Sequence, residues 1–344
     1  MNPYALSIFI SSLALGTMAT LSSFHWIMAW IGLEINTLAI IPLMTKNPHP
    51  RAIEASTKYF LTQAAASALI LFAATLNAWL TGEWSINSPM NSNSTILLSI
   101  AILTKLGIAP FHFWLPEVLQ GLPLQTGLIL STWQKLAPMT LLFQFSESLN
   151  LNLMLSLGLL STFLGGWGGI NQTQIRKIMA FSSIAHLGWI ILILKISPPL
   201  SLLNFILYII MTSTLFFTFM FTDSKNILQL ATSWHKTPTI ASLSLLCLLS
   251  LSGLPPLTGF LPKWLIAQEL VKQNLTTFAL IALLSTLLSL FFYLRLTYTT
   301  SLTLAPNPSF SLSSWLFKKK TNLSPLTIVT LCALPLSPSL LPYF

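Results

Sequence analysis

The stretch ILLSIAILTKLGIAPFHFWLPEVLQG, residues 96–121, decides how the chain is read. It is long enough to cross a bilayer core, which takes about 20 predominantly apolar residues. Yet it carries a lysine near its middle, Lys105, followed by Gly107, Pro110 and Pro116. Proline lacks a backbone donor and clashes with the preceding turn, so a helix entering this stretch must break inside it. The stretch 239–271 repeats the pattern, with Ser252-Gly253-Leu254-Pro255-Pro256-Leu257-Thr258-Gly259 at its middle and Pro262 and Lys263 beyond. Unpaired backbone at membrane depth is tolerated only inside protein or beside water, so each break belongs in one of those two settings.

The rest of the chain agrees with a bilayer as the main solvent. Of 344 residues, 54% are hydrophobic and only 7% charged, against roughly 25% charged in an ordinary soluble domain. That deficit excludes a soluble globular protein, because water-facing surface needs far more charge than lipid-facing surface. Apolar spans fall near 3–22, 25–45, 58–80, 96–121, 125–146, 152–171, 177–196, 200–222, 239–271, 275–297 and 323–342. The expected fold is all-α: one polytopic transmembrane helical domain, 1–344, of about eleven helices, two of them broken mid-membrane. Residues 96–146 form the first broken helix with its successor, and 239–297 the second.

Charge placement tests this topology independently, since loops on one side of a membrane collect the Lys/Arg excess. With eleven spans, one side holds Lys46, Arg51, Lys58, Arg176, Lys177, Lys225, Lys236, Arg295 and the run Lys318-Lys319-Lys320, while the other holds only Lys195 and Lys272. The N-terminus then lies on the positive side and the C-terminus opposite. The basic run is either a lipid-binding loop or a merely solvated one. Three basic residues, Lys105, Lys135 and Lys263, remain inside spans.

Several chemistries have no support in the sequence. Cys247 and Cys332 are isolated in apolar runs, which excludes a disulfide framework and a thiolate metal site. His25, His49, His112, His186 and His235 never fall at i, i+3 or i, i+4, so no metal, haem or iron–sulfur cluster is expected. No phosphate-binding loop occurs, and Gly165-Gly166-Trp167-Gly168-Gly169 reads as a small-residue face for helix packing. The opening Met1-Asn2-Pro3-Tyr4, with the first basic residue at Lys46, matches neither a signal peptide nor a mitochondrial presequence.

A charge at mid-bilayer costs at least about 2.5–3.5 kcal/mol, so an intramembrane ionisable group points to function. Glu34 sits deep in the second span, in Trp30-Ile31-Gly32-Leu33-Glu34-Ile35-Asn36; Lys135 is central in the fifth; Lys105 and Lys263 adjoin the two breaks. One reading makes Glu34 and a lysine a structural ion pair and lets the other lysines snorkel. The other is a proton relay, because one carboxylate cannot partner three lysines and the protonation of each then depends on its neighbours. Broken helices supply carbonyls, half-helix dipoles and room for water. His112 and His186 extend such a path or are hydrogen-bonded core histidines. Glu54, Glu83, Glu117, Glu147 and Asp223 fall at span ends or in loops, with Glu117 and Asp223 the candidates for a deeper role.

The stretches KLGIAPFHFWLPEVLQG (105–121) and SGLPPLTGFLPK (252–263) resemble the two broken-helix signatures of the antiporter-like subunits of respiratory complex I. The opening MNPY, the length and Gly32-Leu33-Glu34-Ile35-Asn36 are most similar to mitochondrially encoded members, which need no import signal. The resemblance covers essentially the whole chain. It implies an antiporter-like fold lacking the first three of the fourteen helices of bacterial members. It also implies that Glu34 modulates Lys105, that Lys135 is the central relay and Lys263 the terminal one, with His112 and His186 as weaker carry-overs.

The implied activity is proton translocation in the membrane arm of an NADH:ubiquinone reductase, with no redox chemistry in this chain. NADH, FMN, iron–sulfur clusters and ubiquinone would belong to the complex as a whole, with no cofactor bound here. Expected partners are other membrane-arm subunits, neighbouring antiporter-like subunits among them, and membrane lipids such as cardiolipin, with no nucleic acid. The implied location is the mitochondrial inner membrane, with the N-terminus on the matrix side and the C-terminus facing the intermembrane space. Two alternatives stay open: a stand-alone cation/proton antiporter, for which one mid-membrane carboxylate makes a poor sodium cage, and a non-pumping structural subunit.

Overall fold

A computed structural model describes residues 2–46, 48–235, 237–302, 324–332 and 334. Lys236, the run Lys318-Lys319-Lys320 and the Pro-rich tail 335–344 lie outside the described residues, as does the side chain of Cys332. Among the described residues seven helices are long and apolar enough to span a membrane: α1 (Pro3–Leu21), α2 (Trp26–Met44), α3 (Pro50–Thr81), α8 (Leu151–Ile170), α9 (Ile175–Leu194), α10 (Pro198–Thr222) and α14 (Thr276–Leu302). The remaining expected spans are built from shorter helices. α4 (Ser92–Leu106) and α5 (Trp114–Gly121) flank the first break, and α12 (Pro238–Ser252) and α13 (Phe260–Lys272) flank the second. α15 (Ser324–Cys332) begins the last span, and α11 (Ile227–Ala231) is a short connector.

The fifth span departs from expectation. Instead of one helix it consists of α6 (Leu124–Ser131) and α7 (Trp133–Gln144), interrupted at Thr132. The Thr132 hydroxyl donates to the Leu128 carbonyl at 2.7 Å, and Pro138 has no N–H for the Gln134 carbonyl. Both effects loosen the backbone ladder in the turns around Lys135.

Local chemistry fixes where the first three helices start. Asn2 Oδ1 accepts from the Tyr4 N–H at 3.2 Å, His25 Nδ1 from Ile27 at 3.2 Å, and His49 Nδ1 from Arg51 at 3.1 Å. Each side chain satisfies one donor that the first helical turn leaves free. Pro3 and Pro50 occupy the first helical position, where a missing N–H costs nothing. α3 ends at Gly82, whose φ of 77° is the left-handed conformation that suits glycine.

Two compact units make up the fold: residues 1–158 with 194–198, and residues 159–193 with 199–344. In the first, α2 packs on α1 and α3, and α3 packs on α4 and α5. Its core includes Trp26, Ile40, Ile70, Leu98 and Ile102, all fully buried. Outward positions of α1 such as Tyr4, Ile8 and Leu15 are exposed and apolar, as a lipid-facing helix requires. In the second, α12 packs on α14 and α15, and α13 on α14, around Tyr208, Phe216, Phe219, Phe292 and Tyr293.

The glycine run of α8 is a packing face in this second unit. A methyl group on Gly165 would meet the Ala185 backbone nitrogen at 2.6 Å, and one on Gly168 would strike the Phe181 ring, both on α9. Gly166 and Gly169 present the same closeness to Leu288 and Phe292 on α14. Arg295, counted with the loop charges although the expected span runs to 297, belongs to α14. It donates to the Ile170 carbonyl at 2.6 Å and to the Gln172 carbonyl, closing the C-terminal end of α8. A guanidinium there also meets the negative end of the helix dipole.

Candidate functional site

In the first unit the break after α4 presents Lys105. Gly107 turns left-handed at φ 75° and ends the helix, with its N–H on the Thr104 carbonyl and that of Ile108 on Leu103, each at 3.1 Å. Trp114, at the start of α5, donates its indole N–H to the same Thr104 carbonyl at 3.1 Å. The Leu103 and Thr104 carbonyls of the last turn are thereby satisfied without the lysine side chain. Lys105 is buried, and its Nζ has no hydrogen-bond partner among the described residues.

Lys135, on α7, is buried as well. It lines the same small cavity as Lys105, together with Asn36, Thr37, Gln63 and Gln134. The cavity has about 20 Å³ of room for water centres, enough for a water molecule. Gln134 Nε2 donates to the Asn36 carbonyl at 3.3 Å, tying α7 to α2 across this cavity.

Glu34 does not lie in contact with Lys105. Ion pairs within 4.0 Å among the described residues join Lys58 to Glu54 and Glu117, and Lys272 to Glu269. The Glu34 carboxylate is nonetheless near enough to act on Lys105 and Tyr59 through its field. Its direct partner is the hydroxyl of Thr37, 3.0 Å from Oε2.

His112 sits in the break itself, buried, its ring 4.4 Å from that of Phe113 and hydrogen-bonded to the Pro110 backbone. It does not line the lysine cavity. Glu117, on α5, is half exposed and pairs with Lys58 of α3 at 2.7 Å, so its role here is to tie α5 to α3.

The second unit builds a different arrangement around Lys263. α12 ends at Gly253, φ 87°, which leaves carbonyls of its last turn facing the break. Lys263 Nζ, projecting from the first turn of α13, donates to the Ser252 carbonyl at 2.8 Å and approaches that of Leu251 at 3.5 Å. An ammonium at this place completes the hydrogen bonding of a half-helix and faces the negative end of its dipole. Lys263 shares a cavity of about 10 Å³ for water centres with His186, Thr162, Ser285, Ser289 and Tyr293. His186 is buried, its ring 5.9 Å from that of Tyr208.

Lys105 is thus gathered with Lys135, and Lys263 with His186, each pair at one cavity of its own unit. Sequence reasoning gives no weight to Thr37, Gln63 and Gln134, because uncharged polar residues are common in this Ser/Thr-rich chain. Glu269, a carboxylate close to the end of the expected span 239–271 and given no role from the sequence, pairs with Lys272 at 3.1 Å near the end of α13. Among the described residues no group of three or more His, Cys, Asp or Glu could hold a metal ion.

Residues 23–289 match the NADH:quinone oxidoreductase/Mrp antiporter transmembrane family, and residues 290–341 match the NADH dehydrogenase subunit 2 C-terminus. The chain is 62% identical over 343 residues to NADH-ubiquinone oxidoreductase chain 2 of Aquarana catesbeiana, covering 99% of each chain. It is 61% identical over 341 residues to the chain of the same name from Xenopus laevis, covering 98% of this chain and 99% of that one. Among solved structures it is similar to a chain of respiratory complex I from Thermus thermophilus with bound aureothin, at a TM-score of 0.87 and 26% identity, covering 99% of this chain and 80% of that one. The fold alone is shared with a chain of the Mrp complex from Dietzia sp. DQ12-45-1b, at a TM-score of 0.83 and 18% identity, covering 97% and 75%. By fold, family match and full-length identity, the chain belongs to the NADH-ubiquinone oxidoreductase chain 2 family, antiporter-like membrane subunits of respiratory complex I.

Proposed function

We propose that the whole chain acts as one proton-translocating domain of the membrane arm of complex I, in the mitochondrial inner membrane, with its N-terminus on the matrix side. The observation that carries this reading is the shared cavity of Lys105 and Lys135, two buried lysines among uncharged hydrogen-bonding side chains. Such groups exchange protons readily, because removing their charge relieves a desolvation cost and a neighbouring charge restores it. NADH oxidation and ubiquinone reduction, with FMN and the iron–sulfur clusters, belong to other subunits. A redox event there changes the charge or position of Glu34; Lys105 gives up its proton; Lys135 responds within the same cavity. At the second break, Lys263 and His186 are the exchanging pair, and the Ser252 carbonyl holds the ammonium form of Lys263.

The test is the number of protons moved per NADH in assembled complex carrying Lys135→Ala or Lys263→Ala. Each variant is expected to lower that ratio while complex of normal size still forms. Unchanged ratios in both would leave the chain a structural subunit. If instead the isolated chain moved sodium against protons in proteoliposomes without redox partners, the antiporter reading would replace this one.

A further inference from the structure

Glu34 and the lysine cavity are adjacent but separate: the carboxylate side chain is not part of the cavity wall, whereas Thr37 is. Thr37 stands one turn beyond Glu34 on α2 and is buried. Its Oγ1 lies 3.0 Å from Glu34 Oε2 and 2.9 Å from the Glu34 carbonyl. Among the described residues many buried hydroxyls simply return to the carbonyl three residues back, as Thr17 does to Ala14 and Thr20 to Thr17. Thr37 differs in having a carboxylate within the same reach and in lining a cavity that two buried lysines also line.

We propose that the Thr37 hydroxyl is the proton link between Glu34 and the cavity of Lys105 and Lys135, an inference that rests on the relay reading above. A hydroxyl carries one proton and two lone pairs, so it can accept on one side while donating on the other. When Glu34 is protonated, its carboxyl proton passes to Thr37 Oγ1 as Hγ1 leaves for an acceptor in the cavity, a water molecule or an unprotonated lysine amine. One O–H bond forms at Oγ1 and one breaks; Glu34 becomes a carboxylate, the acceptor gains one proton, and threonine is unchanged overall. Rotation about the Cβ–Oγ1 bond then returns the hydroxyl toward the carboxylate. The Glu34 carbonyl offers a resting acceptor during that rotation, so the buried donor is never left unpaired.

The experiment compares protons translocated per NADH, normalised to assembled complex, for Thr37→Val, Thr37→Ser and Glu34→Gln. Valine keeps the shape and removes the hydroxyl; serine keeps the hydroxyl and removes the methyl. The expected result is a loss of translocation with valine that approaches the loss with Glu34→Gln, while serine retains the original ratio. Should the valine variant fail to assemble, Thr37→Ala set against Thr37→Ser gives the same reading. Loss with Glu34→Gln but none with valine overturns the link and leaves the relay standing. Equal losses with valine and serine make Thr37 a packing residue and also overturn the link. No loss with Glu34→Gln removes the relay itself and the link with it.

Discussion

At the second break a methyl group on residue 253 would lie 2.8 Å from Lys263 Nζ, so the glycine clears the space that the ammonium occupies. The same residue adopts φ 87°, which an L side chain rarely does. Gly82 separates the two effects, because it has φ 77° and nothing lies within 4 Å of the place a methyl group would take. Gly82→Ala is therefore expected to show backbone strain alone, about 1–2 kcal/mol, read as a small drop in thermal stability of the complex with translocation intact. Gly253→Ala should show that strain and in addition lose protons per NADH, because the lysine is pushed off the Ser252 carbonyl. Equal behaviour of the two variants would mean that the place of Lys263 does not depend on the glycine. Gly253 and Lys263 are both legible in the sequence as parts of one motif. That they touch is not, since the path of the chain through the helix break lies between them.

Two devices at the scale of helices fix the packing, and each can be tested by itself. Trp114 carries its indole back across the first break to the Thr104 carbonyl, joining α5 to the turn of α4 that bears Lys105. Trp114→Phe keeps most of the ring contact and removes one of two donors to that carbonyl, the Gly107 N–H remaining, which is expected to cost roughly 0.5–1.5 kcal/mol. Thermal unfolding of the assembled complex, followed through this subunit, measures the cost; no shift would mean that another donor has replaced the indole. The second device is the glycine face of α8, which lets α9 and α14 approach to backbone contact. Gly165→Val places a side chain on the Ala185 backbone, which cannot move aside as a flexible side chain would. Overpacking of this kind typically costs about 1–3 kcal/mol, and the expected outcome is a reduced amount of assembled complex on a native gel. The glycine run is readable as a packing face from its composition and its place in an apolar span. Its two-sided use needs the relative rotation of three helices, which sequence periodicity does not encode. The interruption at Thr132 is not legible in the sequence, because a single threonine with Pro138 further along is a weak break compared with clusters of Gly and Pro.

For the whole molecule, the asymmetry of basic residues predicts that the loop between α2 and α3 faces the matrix. Cysteine introduced at Lys46 should react with a membrane-impermeant thiol reagent in inside-out inner-membrane vesicles and stay protected in intact mitoplasts; the opposite labelling would invert the proposed orientation. Composition alone decided that the solvent is a bilayer, because 7% charged residues cannot cover a chain of this size with water-facing surface. Hydropathy placed the helices, since a span must pair all its backbone internally, and the Gly/Pro clusters placed two of the three interruptions. Intramembrane charge singled out Glu34, Lys105, Lys135 and Lys263, because an ionisable group at that depth carries a cost wherever the chain folds. Tertiary structure alone decided which of these groups share a cavity, that His186 joins Lys263 while His112 joins neither cavity, and that Thr37 both meets Glu34 and lines the cavity of two lysines. The physical reason is that desolvation belongs to a residue and its depth, and is written in the chain, whereas a hydrogen bond belongs to a pair and exists only once packing has fixed both partners.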